Sequence, residues 1–483
     1  MVKSAPQQTR VLVVSGTHSG AGKTTIATAL MAAYSRRGLR VRAFKVGPDF
    51  IDPGFHHTVT GHPSRNLDGW MMGHDAVLDT FRRGSSDADI SIVEGVMGLF
   101  DGASGTSESG STGEIAKWLG APVVLVIDAS ALARSAAAIV RGFEDFDRDL
   151  NVASVVANRV AGKGHYGYIE PAIQNHCRAV PVGWMPSDPS IRLPERHLGL
   201  VTAAESLDAG MIDRLGYLAE QSIDLDRLLS ISCVPAASDS PARLHGEQYS
   251  LESSAGSGEA RVRIGVALDR AFCFYYQDNL DMLERLGAEL IYWSPIQDSL
   301  PSDLAGLYFG GGYPELYAEQ LSANAGARDA VKCFIDRGGP VYAECGGLMY
   351  LTEAIMETGD EQHDGDCQDR SHRMVGAFPT VSRMRNTLAA IGYTEVSVSP
   401  KHAQFLTTDC VARGHQFRYS EIDPMPAEVN RCYRARSVGN RAEFEEGYLI
   451  NNCLASYVHL HFSSCPALAE SWIKQCRTLG MRT

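Results

Sequence analysis

The sequence predicts an α/β protein of two doubly wound domains, on three observations. Short β-branched runs alternate with helical stretches from Val11 to about Leu229, the alternation stops in a Ser/Gly/Ala/Glu-rich stretch, and it restarts at Arg263. Strands that alternate with helices pack as a mostly parallel sheet with both faces covered. The expected bounds are 1–234 for the first domain, 235–260 for a linker and 261–483 for the second domain.

In the first domain VLVVS (11–15), VRAFKV (41–46), ISIVEGV (90–96), PVVLVID (122–128) and VASVVANRV (152–160) read as strands buried on both faces. Between the first two, residues 26–38 place Ile26, Leu30, Ala33 and Tyr34 on one helical face, and Gly38 stops the helix. The second series runs RIGVAL (263–268), a helix around Asn279–Leu286, ELIYWSP (289–295), GLYFGGG (306–312) and PVYAECGG (340–347). The polar stretch 357–373 reads as a mobile surface insertion.

Composition excludes some partners. The 483 residues carry 44 Lys+Arg against 57 Asp+Glu, a net charge of −13, which argues against nucleic acid because phosphate binding needs a basic face. Apolar stretches such as Ala121–Ile127 fall far below the roughly 20 residues of a membrane span, so no membrane is expected. The N-terminus has no apolar core of export length, and the eleven cysteines include no Cys-x-x-Cys pair, which points to a reducing cytoplasm. Oligomeric state stays open.

The strongest local signal is VLVVSGTHSGAGKTTIATAL: a buried strand, a glycine-rich turn, then Lys23, Thr24 and Thr25 opening an apolar-faced helix. Gly20 and Gly22 let backbone N–H groups approach phosphate oxygens, Lys23 reaches the β/γ-phosphates, and Thr24 can ligate Mg²⁺. The usual spacing would place a glycine at Thr17; here it is Gly16. Asp49 and Asp52 follow a strand end, Glu94 ends another, and Asp101 lies in a Gly-rich turn. Asp49 and Glu94 with Thr24 form a set suited to hard Mg²⁺. Asp52 and Asp101 either take part in catalysis or initiate turns beside Pro53 and Gly102. Lys45 either neutralises an acyl or phosphate oxygen or pairs with Asp49.

GTHSGAGKT resembles the loop of the dethiobiotin-synthetase-like family of ATP-dependent carboxylate enzymes, including the shifted glycine. ANRVAGKGHYGYIEPAI (157–173) resembles that family's ANR segment, which implies that Asn158 contacts adenine; from the residues alone it can equally cap a turn.

PVYAECGGLMYL sets Cys345 on a sharp strand-to-helix turn, where adjacent N–H groups and the helix dipole favour thiolate and oxyanion. The N–H groups of Gly311, Gly312 and Gly346 are candidates for an oxyanion hole. SYVHLHF offers His459 or His461 as base, on the same strand face. Alternation sends Glu344 the other way from Cys345, so it reads as structural.

This half resembles class I glutamine amidotransferases, which have a flavodoxin-like fold, attack the glutamine amide with Cys and release ammonia. Many members carry a carboxylate two positions after the His; here that position is His461, and the orienting partner is left open. The SY-x-H-x-x-F pattern of the cobyric and cobyrinic branch favours His459.

Over nearly the whole chain, KVGPDFIDPGFHHTVTG, RNLDGWMM, VEGVMGLFDG, LPERHLGL, YFGGGYPELYAEQL, YAECGGLMYL and ASYVHLHF resemble the cobyrinate a,c-diamide synthase family. That resemblance implies a P-loop ATPase-like first domain and an ATP- and L-glutamine-dependent ligase that amidates two carboxylates of a tetrapyrrole with Mg²⁺. GHQFRYS (414–420) departs from it, with Gln416 and Arg418 where many relatives carry Glu and His. The resemblance implies the a and c side-chain carboxylates of cobyrinate, in cobalamin biosynthesis, as the sites amidated, with hydrogenobyrinate or nickel-sirohydrochlorin, accepted by close relatives, as the alternative. Arg192, Arg196 and His197 are candidates for substrate carboxylates, as is His56 or His57. A partitioning-type ATPase switch with a degenerate second domain is the reading from another class; Cys345 in its glycine frame stands against it.

Overall fold

The computed structural model describes residues 8–191, 207–235, 261–357, 370–398, 411–439 and 442–479. The chain divides into two compact units, Met1–His245 and Gly246–Thr483.

The first unit carries β1 (Gln8–Gly16), β2 (Val41–Val46), β3 (Arg65–Leu67), β4 (Ile90–Gly98), β5 (Val123–Asp128), β6 (Val152–Val160), β7 (Val180–Pro186) and β8 (Cys233–Pro235), in the order β3-β2-β4-β1-β5-β6-β7. These run parallel, except that β8 pairs antiparallel with β1. Val11, Leu12, Val13 and Val14 are all 0% exposed, which is why β1 reads as a continuous apolar run. The helix Lys23–Arg36 lays Ile26, Leu30 and Tyr34 into the same core as Val182, Leu215 and Leu228; each such large side chain contributes roughly 1.5–3 kcal/mol. The Tyr34 hydroxyl, carried inward with its ring, donates to Leu225 O at 3.1 Å. Because β1 lies between β4 and β5, the loop after it opens where connections diverge to both sides of the sheet, the usual ligand position in such folds.

The second unit carries β9 (Val262–Ala267), β10 (Ala288–Trp293), β11 (Gly306–Phe309), β12 (Val341–Glu344), β13 (Thr352–Glu357), β14 (Arg370–Arg373), β15 (Phe378–Met384), β16 (Ala390–Val398), β17 (Val411–Arg418), β18 (Ser420–Ile422), β19 (Asn430–Ser437), β20 (Phe444–Ile450), β21 (Cys453–Ser456) and β22 (His459–Leu460). The main sheet has the order β10-β9-β11-β12-β21-β20-β19-β16-β17-β22. Its first five strands are parallel. The rest extend it antiparallel, and β14-β13-β15-β18 form a small second sheet.

The antiparallel extension is absent from the sequence reading for a physical reason. β16 and β19 mix exposed, intermediate and buried positions along their length, so they lack the unbroken apolar runs of strands covered twice. The central strands show the opposite pattern. Leu307, Phe309, Val341, Ala343, Cys453 and Ala455 enter one core cluster, and Tyr308, Tyr342 and Leu454 enter the other.

Two expectations meet the edge of the described residues. Most of the linker, 236–260, lies outside them, and so does 358–369 of the expected insertion. The insertion's last residues, Arg370–Arg373, are not surface loop but a strand paired with β13.

Candidate functional site

The glycine-rich loop after β1 is tied to both neighbouring strands: Thr17 N–H donates to Val126 O at 3.2 Å, and Leu99 N–H to Gly16 O at 2.9 Å. Lys23, Thr24 and Thr25 form the first turn of the following helix, entered through Gly22 at φ 97°. A Cβ on Gly22 would stand 1.9 Å from Asn158 Nδ2, so this position requires glycine for space as well as for its left-handed backbone. Gly20 is also left-handed, at φ 84°. The Lys23 ammonium reaches back across the loop to His18 O at 3.2 Å. Loop N–H groups, a helix N-terminus and a lysine therefore converge, a cradle for phosphate oxygens.

Behind the loop sits a buried polar network. Glu94 at the end of β4 is 0% exposed; its Oε1 accepts from Thr24 Oγ1 at 2.7 Å and from Lys45 Nζ at 3.1 Å, and its Oε2 lies 2.7 Å from His56 Nε2. Lys45 also donates to Gly95 O at 2.8 Å and pairs with Asp52 Oδ2 at 2.6 Å. His56 Nδ1 lies 2.9 Å from Ser64 Oγ. Lys45 thus pairs with Asp52 and Glu94, because the first turn of the helix Ile51–Thr60 carries Asp52 inward. The expectation for His56 is corrected. It is enclosed against Glu94 and Ser64 rather than open to a substrate carboxylate, whereas His57 is exposed.

Asp49 Oδ1 accepts from Ile51 N–H at 2.9 Å, at the start of that helix. Asp101 is exposed, and its Oδ2 accepts from Gly98 N–H at 2.8 Å, closing a tight turn. Asn158, buried at the end of β6, donates to Ala21 O at 2.9 Å; it props the phosphate loop from behind. Arg192, Arg196 and His197 lie outside the described residues.

In the second unit β12 ends at Glu344, and Cys345 turns the chain into the helix Gly346–Leu351 at φ 49° and ψ −102°. A non-glycine residue at such angles stores of order 1–3 kcal/mol, strain typical of nucleophile positions. Gly311 lies between Cys345 and His459. A Cβ placed on it would stand 3.0 Å from His459 Nε2 and 3.5 Å from Cys345 Cβ. The Gly311 N–H donates to Phe274 O at 3.2 Å, so it is removed from the set of candidate oxyanion donors, which leaves Gly312 and Gly346. Gly312 N would lie 3.2 Å from a Cβ on Gly346, so the two glycines approach closely.

Burial sets the resting charge of this pair. It pushes the Cys345 thiol up to about 12, with Glu315 and Glu344 adding to the effect, while Arg418 and the Gly346 N–H oppose it. Burial pushes His459 down to about 3. Thiol and neutral imidazole is therefore the resting state. His415 is a neighbour the sequence did not single out, and Arg418 was marked only as a departure from the family pattern. His415 stacks on His459 with ring centroids 5.1 Å apart and an interplanar angle of 19°, and its Nδ1 lies 2.8 Å from Tyr276 Oη. Arg418 sits 4.2 Å over the Tyr457 ring. The GHQFRYS segment was visible, but its pairing with β22 was not, since a two-residue strand has no periodic signature.

Comparison with known proteins agrees with this geometry. The CobQ/CobB/MinD/ParA nucleotide binding domain family matches residues 12–201, and the CobB/CobQ-like glutamine amidotransferase domain family matches residues 263–467. Cobyrinate a,c-diamide synthase from Syntrophotalea carbinolica is 44% identical over 472 residues, covering 96% of this chain and 98% of its own. Those from Priestia megaterium and Salmonella typhimurium are 40% and 38% identical, covering 97% and 96% of this chain and 97% and 98% of theirs. A solved structure described as a glutamine amidotransferase aligns with 44% of this chain and 98% of its own, at 15% identity and a TM-score of 0.32, too low to argue from. With a phosphate loop in one unit, a strained cysteine facing a histidine in the other, and relatives matched along nearly the full length, the chain belongs to the cobyrinate a,c-diamide synthase family.

Proposed function

We propose that this chain amidates the a and c side-chain carboxylates of cobyrinate, using ATP and the amide nitrogen of glutamine. The observation that carries the reading is Cys345 on its strained turn, facing His459 across Gly311, in a chain whose other unit holds a phosphate loop. We assign residues 1–234 to the amidoligase, 235–260 to a linker and 261–483 to the amidotransferase.

At the second site the Cys345 sulfur attacks the glutamine amide carbon as its proton passes to His459. The N–H groups of Gly312 and Gly346 receive the oxyanion. His459 then protonates the departing ammonia and later activates the water that cleaves the thioester. At the first site the loop N–H groups and Lys23 hold the ATP phosphates in line with a substrate carboxylate, which takes the γ-phosphoryl group. Ammonia attacks the resulting acyl phosphate, and phosphate leaves. Thr24 Oγ1 and Glu94 Oε1, 2.7 Å apart, present the oxygen donors a hard cation takes, with Asp49 as a further proposed ligand; Mg²⁺ would supply charge neutralisation on the phosphates there. Lys45 and Asp52 hold Glu94 in place. Arg192, Arg196 and His197 are proposed to receive substrate carboxylates.

The test is mass spectrometry of products after incubation with ATP, Mg²⁺, glutamine and a panel of tetrapyrrole polycarboxylates. Two amide additions on cobyrinate are expected. Exclusive turnover of hydrogenobyrinate or nickel-sirohydrochlorin would replace the substrate while keeping the chemistry, and no amide on any ring would end the reading.

A further inference from the structure

The Cys–His pair lacks a carboxylate at the sequence position where many amidotransferases place one: that residue is His461, fully buried with its ring 4.8 Å from Tyr276. The His459 imidazole, itself buried and pushed down by that burial, takes up a proton readily only beside a counter-charge. The second unit's core contains one carboxylate in the right place. Glu344 ends β12 immediately before the nucleophile and is 2% exposed. Its Oε1 accepts from Tyr342 Oη at 2.8 Å and from Leu460 N–H at 3.0 Å. Its Oε2 accepts from Tyr308 Oη at 3.1 Å and lies 3.9 Å from His459 Nδ1.

Three features separate this from a buried carboxylate that merely fills space. Leu460, whose N–H it binds, is the other residue of the two-residue strand β22 that carries His459, so the carboxylate anchors the backbone of the base as well as facing its ring. The two ring nitrogens point to different partners: Nε2 lies toward Gly311 and Cys345, Nδ1 toward Glu344. Among the described residues, His459 is the ionisable base within 4.0 Å of the Glu344 carboxylate. The other buried glutamate of this region, Glu446, is engaged with Ser456 Oγ and Tyr457 N–H instead.

We propose that Glu344 is the positioning residue of the glutamine site, orienting the His459 ring through Nδ1 and balancing its charge while it holds the Cys345 proton. The inference rests on the Cys–His reading above. It explains how strand alternation and function coexist. The Glu344 side chain does leave β12 on the face opposite Cys345, among Tyr308 and Tyr342, but the strand ends there and the chain turns at Cys345, so both side chains reach His459 from different sides. No atom changes partner in this role: the proton moves only between Cys345, His459 and the leaving ammonia.

Burial raises the Glu344 carboxyl to about 7. The ionisable groups around it are the Tyr308 and Tyr342 phenols, those of Tyr275 and Tyr433, the Cys345 thiol, and His459 with His415 stacked on it. Of these, the tyrosines and Cys345 are raised by burial and both histidines are lowered; Glu315, whose charge acts on Cys345, is also raised to about 7 by burial, so the Glu344→Gln variant is what assigns a transition near neutrality to one carboxyl or the other.

The experiment measures glutaminase kcat, KM and pH dependence in the full-length chain, with ammonium-dependent amidation as a control for folding. Glu344→Gln should lower kcat by at least about 100-fold, leave KM for glutamine within about twofold, keep ammonium-dependent amidation, and lose the rise in activity through about pH 7. Glu344→Asp should keep that pH rise at a reduced kcat, and it carries the test alone if the glutamine variant does not fold. A Glu344→Gln enzyme within threefold of wild-type kcat, or a loss shared equally by KM and ammonium-dependent turnover, would overturn the proposal. His459→Gln separates the two levels. If it retains wild-type glutaminase activity, the Cys–His reading itself fails; if it abolishes activity while Glu344→Gln does not, only the role of Glu344 fails.

Discussion

At the scale of single residues, Cys345 shows how a side chain acquires reactivity from its backbone. Its left-handed φ of 49° aims the sulfur off the strand end, yet burial holds the thiol protonated. On the proposed mechanism, reactivity is therefore created by proton transfer to His459 rather than by a standing thiolate. Replacing Cys345 with Ala should abolish glutamine-dependent amidation and leave ammonium-dependent amidation within a few-fold of wild type; loss of both activities in a steady-state assay would refute the two-site scheme. Cys345, Lys23 and Thr24 were legible in the sequence because their neighbours announce them: glycines and a strand end are local chemistry. The partners of Lys45 were not legible, since the choice among Asp49, Asp52 and Glu94 depends on how a helical turn faces a neighbouring strand.

At the scale of elements, the helix Ile51–Thr60 and strands β2 and β4 together enclose Lys45, Asp52, Glu94 and His56, each at or below 1% exposure. Buried charges are tolerated when they are mutually paired and hydrogen-bonded, and removing one partner leaves the others uncompensated. Lys45→Met should therefore destabilise the first unit by about 3–5 kcal/mol, read as a lowered denaturant midpoint at unchanged slope. A shift under about 1 kcal/mol would show that the network contributes little to the fold. The doubly covered strands β1, β4, β5 and β6 were readable as apolar runs; β14, β16, β17 and β19 were not, because one-sided antiparallel strands in mixed polar sequence carry only weak alternation.

At the scale of the whole molecule, two chemistries reside in separate compact units, and they should be separable by mutation. Glu94→Gln should lower amidation at least about 100-fold with either glutamine or ammonium while retaining glutaminase activity, since Glu94 belongs only to the phosphate site. Wild-type amidation with ammonium in that variant would remove Glu94 from the proposed Mg²⁺–ATP site. The net charge of −13 sharpens the picture: ATP and a polycarboxylate ring are anions, and long-range attraction is absent beyond a screening length of about 8 Å. On the proposed function, recognition is local, through loop N–H groups, Lys23 and the proposed Mg²⁺.

What the sequence by itself determined are the features written in adjacent residues: the α/β class, the restart into a second domain, the phosphate loop, the nucleophile's turn, and the family they resemble. Each depends on backbone geometry within a few residues, which local composition dictates. Only the tertiary structure decided which groups meet: Lys45 with Asp52 and Glu94, His56 with Glu94, His415 on His459, Gly311 with Phe274, and Glu344 beside Nδ1 of the imidazole. Apart from Lys45 and Asp52, which lie on a strand and the helix that follows it, those contacts join residues tens to more than a hundred positions apart. Strand order and the ends of strands set them, and neither quantity is encoded in any short stretch of chain.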